Sequence, residues 1–343
     1  MITRSFPTLD EGRQCHASTV AVAGGRPVVA WFAGTREGTP DNRIHVAGPG
    51  GTRVLDTGRN VAHWNPVLAP GPDTERSSAE RADSRALWLF CKVGARISEW
   101  VTLVSRSHDG GGTWEPVREL VPGDRSGGRG PVKNPPLVTP DGLWLAPASV
   151  EEWGERPRFS PFVDVSADGG RTWERAPIPV DRSGLRGAGH IQPALWWGRS
   201  GPVALMRSTE GRAHRSGSPD GGRTWTAAEP TGLPNGNSGL SAVALPSGRV
   251  ACVHNPSTTD WGPRCPLVVS VSDDDGWSWR RALVLDDGAG PAGGFAPGDG
   301  GVVTSGAGEY SYPTAVLDGD RLLVSYTWQR RGIVLAEVPV GSL

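Results

Sequence analysis

Ser107-His108-Asp109-Gly110-Gly111-Gly112-Thr113-Trp114 is the first of four closely similar eight-residue phrases. The others run from Ser166 to Trp173, Ser218 to Trp225 and Ser272 to Trp279. Their starts lie 59, 52 and 54 residues apart, and self-similarity at a period near fifty marks a radial repeat such as a propeller. Each phrase reads as a tight turn between two strands. The Asp carboxylate and Ser hydroxyl can bond backbone N–H groups inside the turn, and the Gly pair adopts positive φ without steric cost. The Thr or Ser opens the outgoing strand, and the Trp is large enough to wedge between neighbouring units. The turn uses up its own polar groups, so chemistry has to be sought elsewhere.

The composition fits one closed β-architecture over residues 1–343, and a period of about 54 accommodates about six units. Turns account for 49 Gly and 31 Pro, and packing between units accounts for 15 Trp. A net charge of −1 without a basic stripe excludes a dedicated nucleic-acid binder. No apolar run has the length of a signal sequence or membrane span, so the expectation is a cytoplasmic protein without a membrane partner. Cys15, Cys91, Cys252 and Cys265 show no C-x-x-C spacing, and neither a metal nor another cofactor is expected. Cys91 and Cys252 lie in apolar runs and read as buried thiols. Lys92 and Lys133 are the only lysines among 35 basic residues.

Between the phrases, extended apolar segments fall into groups. Blade one takes 17–23, 27–32, 44–46 and 52–55 around a degenerate turn, Gly48-Pro49-Gly50-Gly51. Blade two takes 65–68, 86–92, 102–107 and 117–120, and blade three 135–138, 143–149, 162–166 and a strand after Trp173. Blade four takes 192–197, 203–207, 214–218 and a strand from Trp225, and blade five 240–245, 250–255, 267–272 and 281–285. Blade six has 312–317, 322–328 and 333–338 but no fourth strand of its own. Residues 2–6 can supply it. The fold expected is therefore all-β, a six-bladed propeller of four-stranded antiparallel blades closed by the N-terminal strand, which removes exposed sheet edges.

The phrase S-x-D-x-G-x-T-W resembles the Asp box, or BNR repeat, of the sialidase (neuraminidase) superfamily. In that family the box joins the third and fourth strands of a blade on the rim away from the active site. The resemblance thus points to the opposite rim, where the inner strands start and strands two and three connect. Six polar phrases start the inner strands there: His16 to Thr19, His63-Trp64-Asn65-Pro66, Lys133-Asn134-Pro135, His190-Ile191-Gln192-Pro193, Asn235 to Gly239 and Glu309-Tyr310-Ser311-Tyr312-Pro313. The strand connections add Arg36, Glu37 and Asp41, Lys92 with Glu99 and Trp100, Glu151-Glu152-Trp153, Arg207 with Glu210, His254 with Arg264, and Trp328 with Arg330 and Arg331. Polar groups with aromatic walls suit a sugar or another hydroxylated, anionic small molecule. The alternative is that these groups satisfy one another and the loop backbones.

The resemblance implies roles. Family members use a Tyr nucleophile activated by a Glu, an Asp acid/base and three Arg on the substrate carboxylate. Glu309-Tyr310-Ser311 is similar to the family's Tyr-Ser segment, which makes Tyr310 the nucleophile. A phenol, with a pKa of about 10, needs a neighbouring base for that role. The segment from Phe32 to Asp41 is similar to the loop carrying the acid/base, which implies Asp41 with Glu37 as its rival, and the stretch from His254 to Arg264 resembles one that carries a triad Arg. Two positions depart from the pattern. His16-Ala17-Ser18 stands where the family has Arg-Ile-Pro, and the activating Glu falls near Asn237-Ser238. Arg207, Arg330 and Arg331 are left to compensate, and the departures point to a sugar other than sialic acid.

Histidine transfers protons near neutral pH, and His16, His63 and His190 all fall at inner-strand starts. The catalytic candidates are accordingly Tyr310, Asp41, His16, Glu37 and His190. The substrate-binding candidates are Arg264, Lys133, Asn134, His63, Asn65, Gln192, Asn237, Tyr312, Arg36, Arg207 and Trp328. The leading expectation is an exo-glycosidase that removes a terminal sugar, acidic or neutral, from a small-molecule or oligosaccharide substrate. The competing ones are a lyase or other His/Tyr proton-transfer enzyme on a uronate sugar, a tailoring enzyme on a secondary metabolite, and a non-catalytic sugar-binding propeller.

Overall fold

The computed structural model describes residues 1–10, 12–71, 85–288 and 308–343. Its 24 strands form six four-stranded antiparallel sheets arranged in a ring, a six-bladed β-propeller. Blade one comprises β2 (Gln14–Ala23), β3 (Arg26–Gly34), β4 (Arg43–Gly48) and β5 (Gly51–Val54), and blade two β6 (His63–Pro70), β7 (Leu87–Val93), β8 (Val101–Ser107) and β9 (Arg118–Glu119). Blade three comprises β10 (Leu137–Val138), β11 (Trp144–Glu152), β12 (Arg158–Ser166) and β13 (Glu174–Pro177). Blade four holds β14 (His190–Gly198), β15 (Gly201–Ser208), β16 (Arg212–Gly217) and β17 (Glu229–Pro234). Blade five holds β18 (Ser241–Ala244), β19 (Val250–His254), β20 (Leu267–Ser272) and β21 (Arg280–Asp286), and blade six β22 (Tyr310–Asp318), β23 (Arg321–Trp328) and β24 (Gly332–Pro339). The outer strand of blade six is β1 (Thr3–Leu9), paired antiparallel with β24, so one chain closes the ring with its two ends. No helix among the described residues is long and apolar enough to cross a membrane.

Each repeated phrase is the turn expected of it. In the first, the Ser107 hydroxyl donates to Asp109 Oδ1 at 2.8 Å and accepts from Gly111 N–H at 2.8 Å. Asp109 also accepts from the backbone and hydroxyl of Thr113, both at 2.8 Å. The same bonds recur in the other three boxes. The fourth box departs once from the Gly pair: Asp275 holds the first left-handed position, at φ 60°. Its carboxylate accepts from Trp196 Nε1 at 2.9 Å and Arg215 Nη2 at 3.0 Å, tying the box to blade four.

The second left-handed position of every box lies against the preceding blade. A Cβ on Gly170 would stand 2.8 Å from Trp88, one on Gly222 2.5 Å from Leu145, and one on Gly276 2.9 Å from Trp196. The box tryptophans fill the same seams: Trp173 packs with Trp88 and Trp144, and Trp225 with Leu145 and Leu195. The core is accordingly a series of apolar clusters between blades, and Cys91 and Cys252 lie inside two of them as buried free thiols.

The inner strands leave one edge unpartnered toward the axis, and side chains bridge it. Thr314 Oγ1 donates to Ser18 O at 3.0 Å, Leu68 N–H to Thr19 Oγ1 at 3.1 Å, and Ala315 N–H to Ser241 Oγ at 3.1 Å. Lys133 Nζ donates to Leu240 O at 2.9 Å and to Pro313 O. Blades one, two, three, five and six are thereby pinned to one another around a polar hub.

Candidate active site

A cavity of about 270 Å³ opens on the axis, lined by inner-strand starts and by the connections between second and third strands. It is reached through a recurrent distortion of the inner strands. Pairing slips between His16 and Thr19, Trp64 and Val67, Ile191 and Ala194, and Ser311 and Thr314. Within each slip one residue is left-handed: Ala17 (φ 53°), Asn65 (32°), Gln192 (54°) and Tyr312 (51°). A bulge re-aims the side chain it carries. Asn65, Gln192 and Tyr312 line the cavity, as does His16 beside Ala17. Non-glycine residues in this region cost about 1–3 kcal/mol each and collect at functional sites, and Trp261 (55°) and Arg330 (53°), also in the lining, share the conformation.

Three arginines converge on the cavity, each from a different blade: Arg207, Arg264 and Arg330. Arg330 is committed to two carboxylates. Its Nε donates to Glu309 Oε2 at 2.8 Å and its Nη1 to Glu37 Oε2 at 2.6 Å. Burial opposes ionisation of both acids, but the Arg330 charge prevails, and it holds Glu37 below the usual carboxylate range and Glu309 at about 2. Arg207 has neutral partners only: its Nε donates to Asn237 Oδ1 at 2.9 Å, and its Nη1 to Gln192 Oε1 and Tyr312 OH, both at 3.1 Å. Arg264 is 2 % exposed and its Nε has no hydrogen-bond partner among the described residues. Burial and the nearby Arg207 charge lower it to about 10. Among the described residues neither Arg207 nor Arg264 forms an ion pair, although Glu309 lies within electrostatic reach of Arg264 and Glu151 within reach of Arg207.

Glu151, at the end of β11, completes the lining, and burial raises its carboxyl to about 7 against the pull of Arg207. The cavity thus holds two carboxyl groups of opposite habit, Glu37 ionised and Glu151 protonated up to neutral pH. His16 is buried, and burial with the Arg330 charge lowers it to about 4. Its Nε2 faces Arg330 Nη2, a group that can only donate, at 3.5 Å, so Nδ1 carries the proton and donates to Thr327 Oγ1 at 3.0 Å. The His16 ring lies 4.5 Å from that of Tyr312. Trp64, Trp100, Trp153 and Trp261 form the walls.

Several residues singled out from sequence lie elsewhere. Tyr310 points into the core between blades five and six, where its hydroxyl accepts from Gln329 Nε2 at 2.7 Å and burial raises it to about 12. The tyrosine in the cavity is Tyr312. Asp41 is exposed and spent within its own turn: bonds from Thr39 and Thr35 lower it to about 2. Arg36 is exposed in the same turn. His190 stacks on His214 with ring centres 4.0 Å apart, and His63 bridges Thr57 Oγ1 at 2.5 Å and Val61 O at 2.8 Å. Lys133 and Asn134 belong to the hub, Asn237 backs Arg207 without lining the cavity, and Trp328 packs edge-on against Phe6. His16, Glu37, Asn65, Gln192, Arg207, Arg264 and Tyr312 do come together. Glu151 and Trp261 were not among the selected candidates. The Glu151-Glu152-Trp153 cluster in a strand connection was the available signal for the first, and the neighbouring Arg264 for the second. Among the described residues no group of three or more His, Cys, Asp and Glu could hold a metal ion.

Four of the six blades carry the Asp-box turn, and the ring they form is a BNR-repeat propeller. The chain belongs to the BNR repeat-like domain family, whose model matches residues 25–324. No curated protein sequence matches it significantly. A Dyadobacter fermentans protein of unknown function has the same fold at a TM-score of 0.70 and 17% identity, covering 98% of this chain and 99% of that one. Trypanosoma rangeli sialidase in complex with the inhibitor DANA gives 0.64 at 14% identity over 99% of this chain, which spans 60% of that enzyme's length. The intramolecular trans-sialidase from Ruminococcus gnavus gives 0.61 at 11% identity, covering 99% and 97%.

Proposed function

We propose that this protein is a carbohydrate-active enzyme that hydrolyses the glycosidic bond of a terminal acidic sugar. The observation that carries the reading is a pair of carboxyl groups lining one cavity in opposite surroundings: Glu37 is ion-paired with Arg330 at 2.6 Å, whereas Glu151 is buried with no ion pair among the described residues, which raises it. Environments that separate two such groups assign a base and an acid. Glu151 gives its proton to the leaving oxygen. Arg207 and Arg264 hold the substrate carboxylate, and the tryptophan walls take the apolar faces of the sugar. Tyr312 is the nucleophile of this reading: its oxygen accepts from Arg207, a bond that strengthens as the oxygen becomes negative. In this reading Glu37, in the same lining, takes the phenol's proton; water then attacks the sugar and gives its proton to the Glu151 carboxylate, while the Tyr312 oxygen leaves and recovers its proton from Glu37. The cavity is sized for one sugar ring, which supports action on chain ends. Four free thiols fit a reducing compartment and support a cytoplasmic site of action.

The test is product analysis on aryl glycosides and uronate-terminated oligosaccharides. Free reducing sugar is expected, with Glu151→Gln slowing turnover by about 10²–10⁴ on poor leaving groups and far less on good ones. An unsaturated product absorbing in the ultraviolet would replace hydrolysis by elimination, a reaction for which the His16–Tyr312 contact is the relevant geometry. Binding without turnover would leave a sugar-binding propeller.

A further inference from the structure

Lys133 and Asn134 are buried, do not line the cavity, and donate to each other and to the backbone at the starts of three inner strands. Lys133 Nζ donates to Pro313 O, to Leu240 O at 2.9 Å and to Asn134 Oδ1 at 3.1 Å. That last bond fixes which end of the Asn134 amide points outward. Its Nδ2 then donates to Pro193 O at 3.0 Å and Gln192 O at 3.3 Å. Pro313 and Pro193 follow the two left-handed residues Tyr312 and Gln192. A residue before proline is driven away from helical φ/ψ, and a left-handed one carries further strain, so such a conformation persists only where its surroundings impose it. Here the same two hub residues hold both dipeptides. Tyr312 OH and Gln192 Oε1 in turn accept from one atom, Arg207 Nη1, at 3.1 Å each.

We propose that Lys133 and Asn134 are positioning residues that clamp the Tyr312-Pro313 and Gln192-Pro193 bulges and thereby set the Tyr312 phenol and the Arg207 guanidinium in the cavity. The effect on turnover rests on the hydrolytic reading above; the clamp itself does not. Gly239 shows how tightly the parts fit: a Cβ there would stand 3.2 Å from Lys133 Cε and 3.4 Å from Tyr312 Cα. Ala at 239 therefore pushes on the same contact without removing a charge.

The chain has three tyrosines, so protein labelled with [¹³Cζ]tyrosine gives three resolvable signals, assigned with Tyr312→Phe and Tyr310→Phe. In Lys133→Met the Tyr312 signal is expected to shift or split while those of Tyr310 and Tyr326 hold, and Gly239→Ala is expected to move the same signal. Should Lys133→Met fail to fold, Gly239→Ala and Asn134→Ala carry the measurement. On a hydrolysed substrate kcat falls about 10²-fold, as for an ångström of misplacement, and KM rises with it because the same clamp sets Arg207. An unmoved Tyr312 signal in the folded variants overturns the clamp, as does equal movement of all three signals, which would mean general loosening. A moved Tyr312 signal in a protein that hydrolyses nothing leaves the clamp standing and removes the hydrolytic reading.

Discussion

Replacing Glu151 by Gln is expected to make the protein more stable at pH 8 and to leave it little changed at pH 5. Burial raises the Glu151 carboxyl from 4.5 to about 7, so between those values the folded chain keeps a proton that the unfolded chain gives up. Folding stability therefore falls as pH rises through that window and levels off above it. At 1.36 kcal/mol for each pH unit, a separation of about 2.5 units costs about 3 kcal/mol at pH 8. Gln keeps the shape and donates at every pH, so the variant escapes the cost. Urea unfolding at pH 5, 6, 7 and 8 measures it. With a slope of about 3 kcal/mol per molar urea, the wild-type midpoint should fall by about 1 M relative to the variant between pH 5 and pH 8. Parallel pH profiles for the two proteins would refute the assignment of a protonated Glu151, and with it the acid of the proposed reaction.

Tyr312→Phe is expected to lower kcat by at least about 10²-fold, whereas Tyr310→Phe keeps activity and costs about 1 kcal/mol of stability through the orphaned Gln329 amide. Asp41→Asn should leave kcat unchanged, since that carboxylate serves its own turn; a hundredfold loss in steady-state assays would return it to the mechanism. Gly222→Ala, with a Cβ 2.5 Å from Leu145 at φ 107°, should destabilise by about 3 kcal/mol in urea unfolding. In the boxes, bonds from Thr113 hold Asp109 at about 2, and bonds from Ser278 and Ser272 hold Asp274 there against burial. Stability from these carboxylates is full above their ordinary value of 3.8 and is lost as pH falls toward 2. Asp274→Asn should flatten part of that acid limb in thermal melts.

The boxes were legible in sequence because their chemistry is local: Ser, Asp, Gly and Thr within seven positions satisfy one another wherever they occur. Closure by the N-terminal strand was legible from a count, since blade six lacks one strand. Which tyrosine lines the cavity was not. Residues 310 and 312 would share a face in a regular strand, and the choice between them is made by the bulge between Ser311 and Thr314. The recurring polar-residue-proline pairs at Asn65, Gln192 and Tyr312 were its trace in the sequence. His190 could not be judged because its partner, His214, lies two strands away in the blade, and Asp41 because bonds within its own turn compete with any distant role. The charge of Glu151 depends on how deep it lies, which no local pattern records.

The two lysines are both buried, at 1 % and 3 % exposed, with every donor engaged by hydroxyl, amide or carbonyl oxygen. The cationic side chains on the exterior of this propeller are consequently guanidinium groups, and neither lysine amine is open to an acylating reagent while the blades stay packed. An amine-directed active ester should therefore leave the side chains of the folded propeller unlabelled, and acylation of Lys92 or Lys133 becomes a record of blades coming apart.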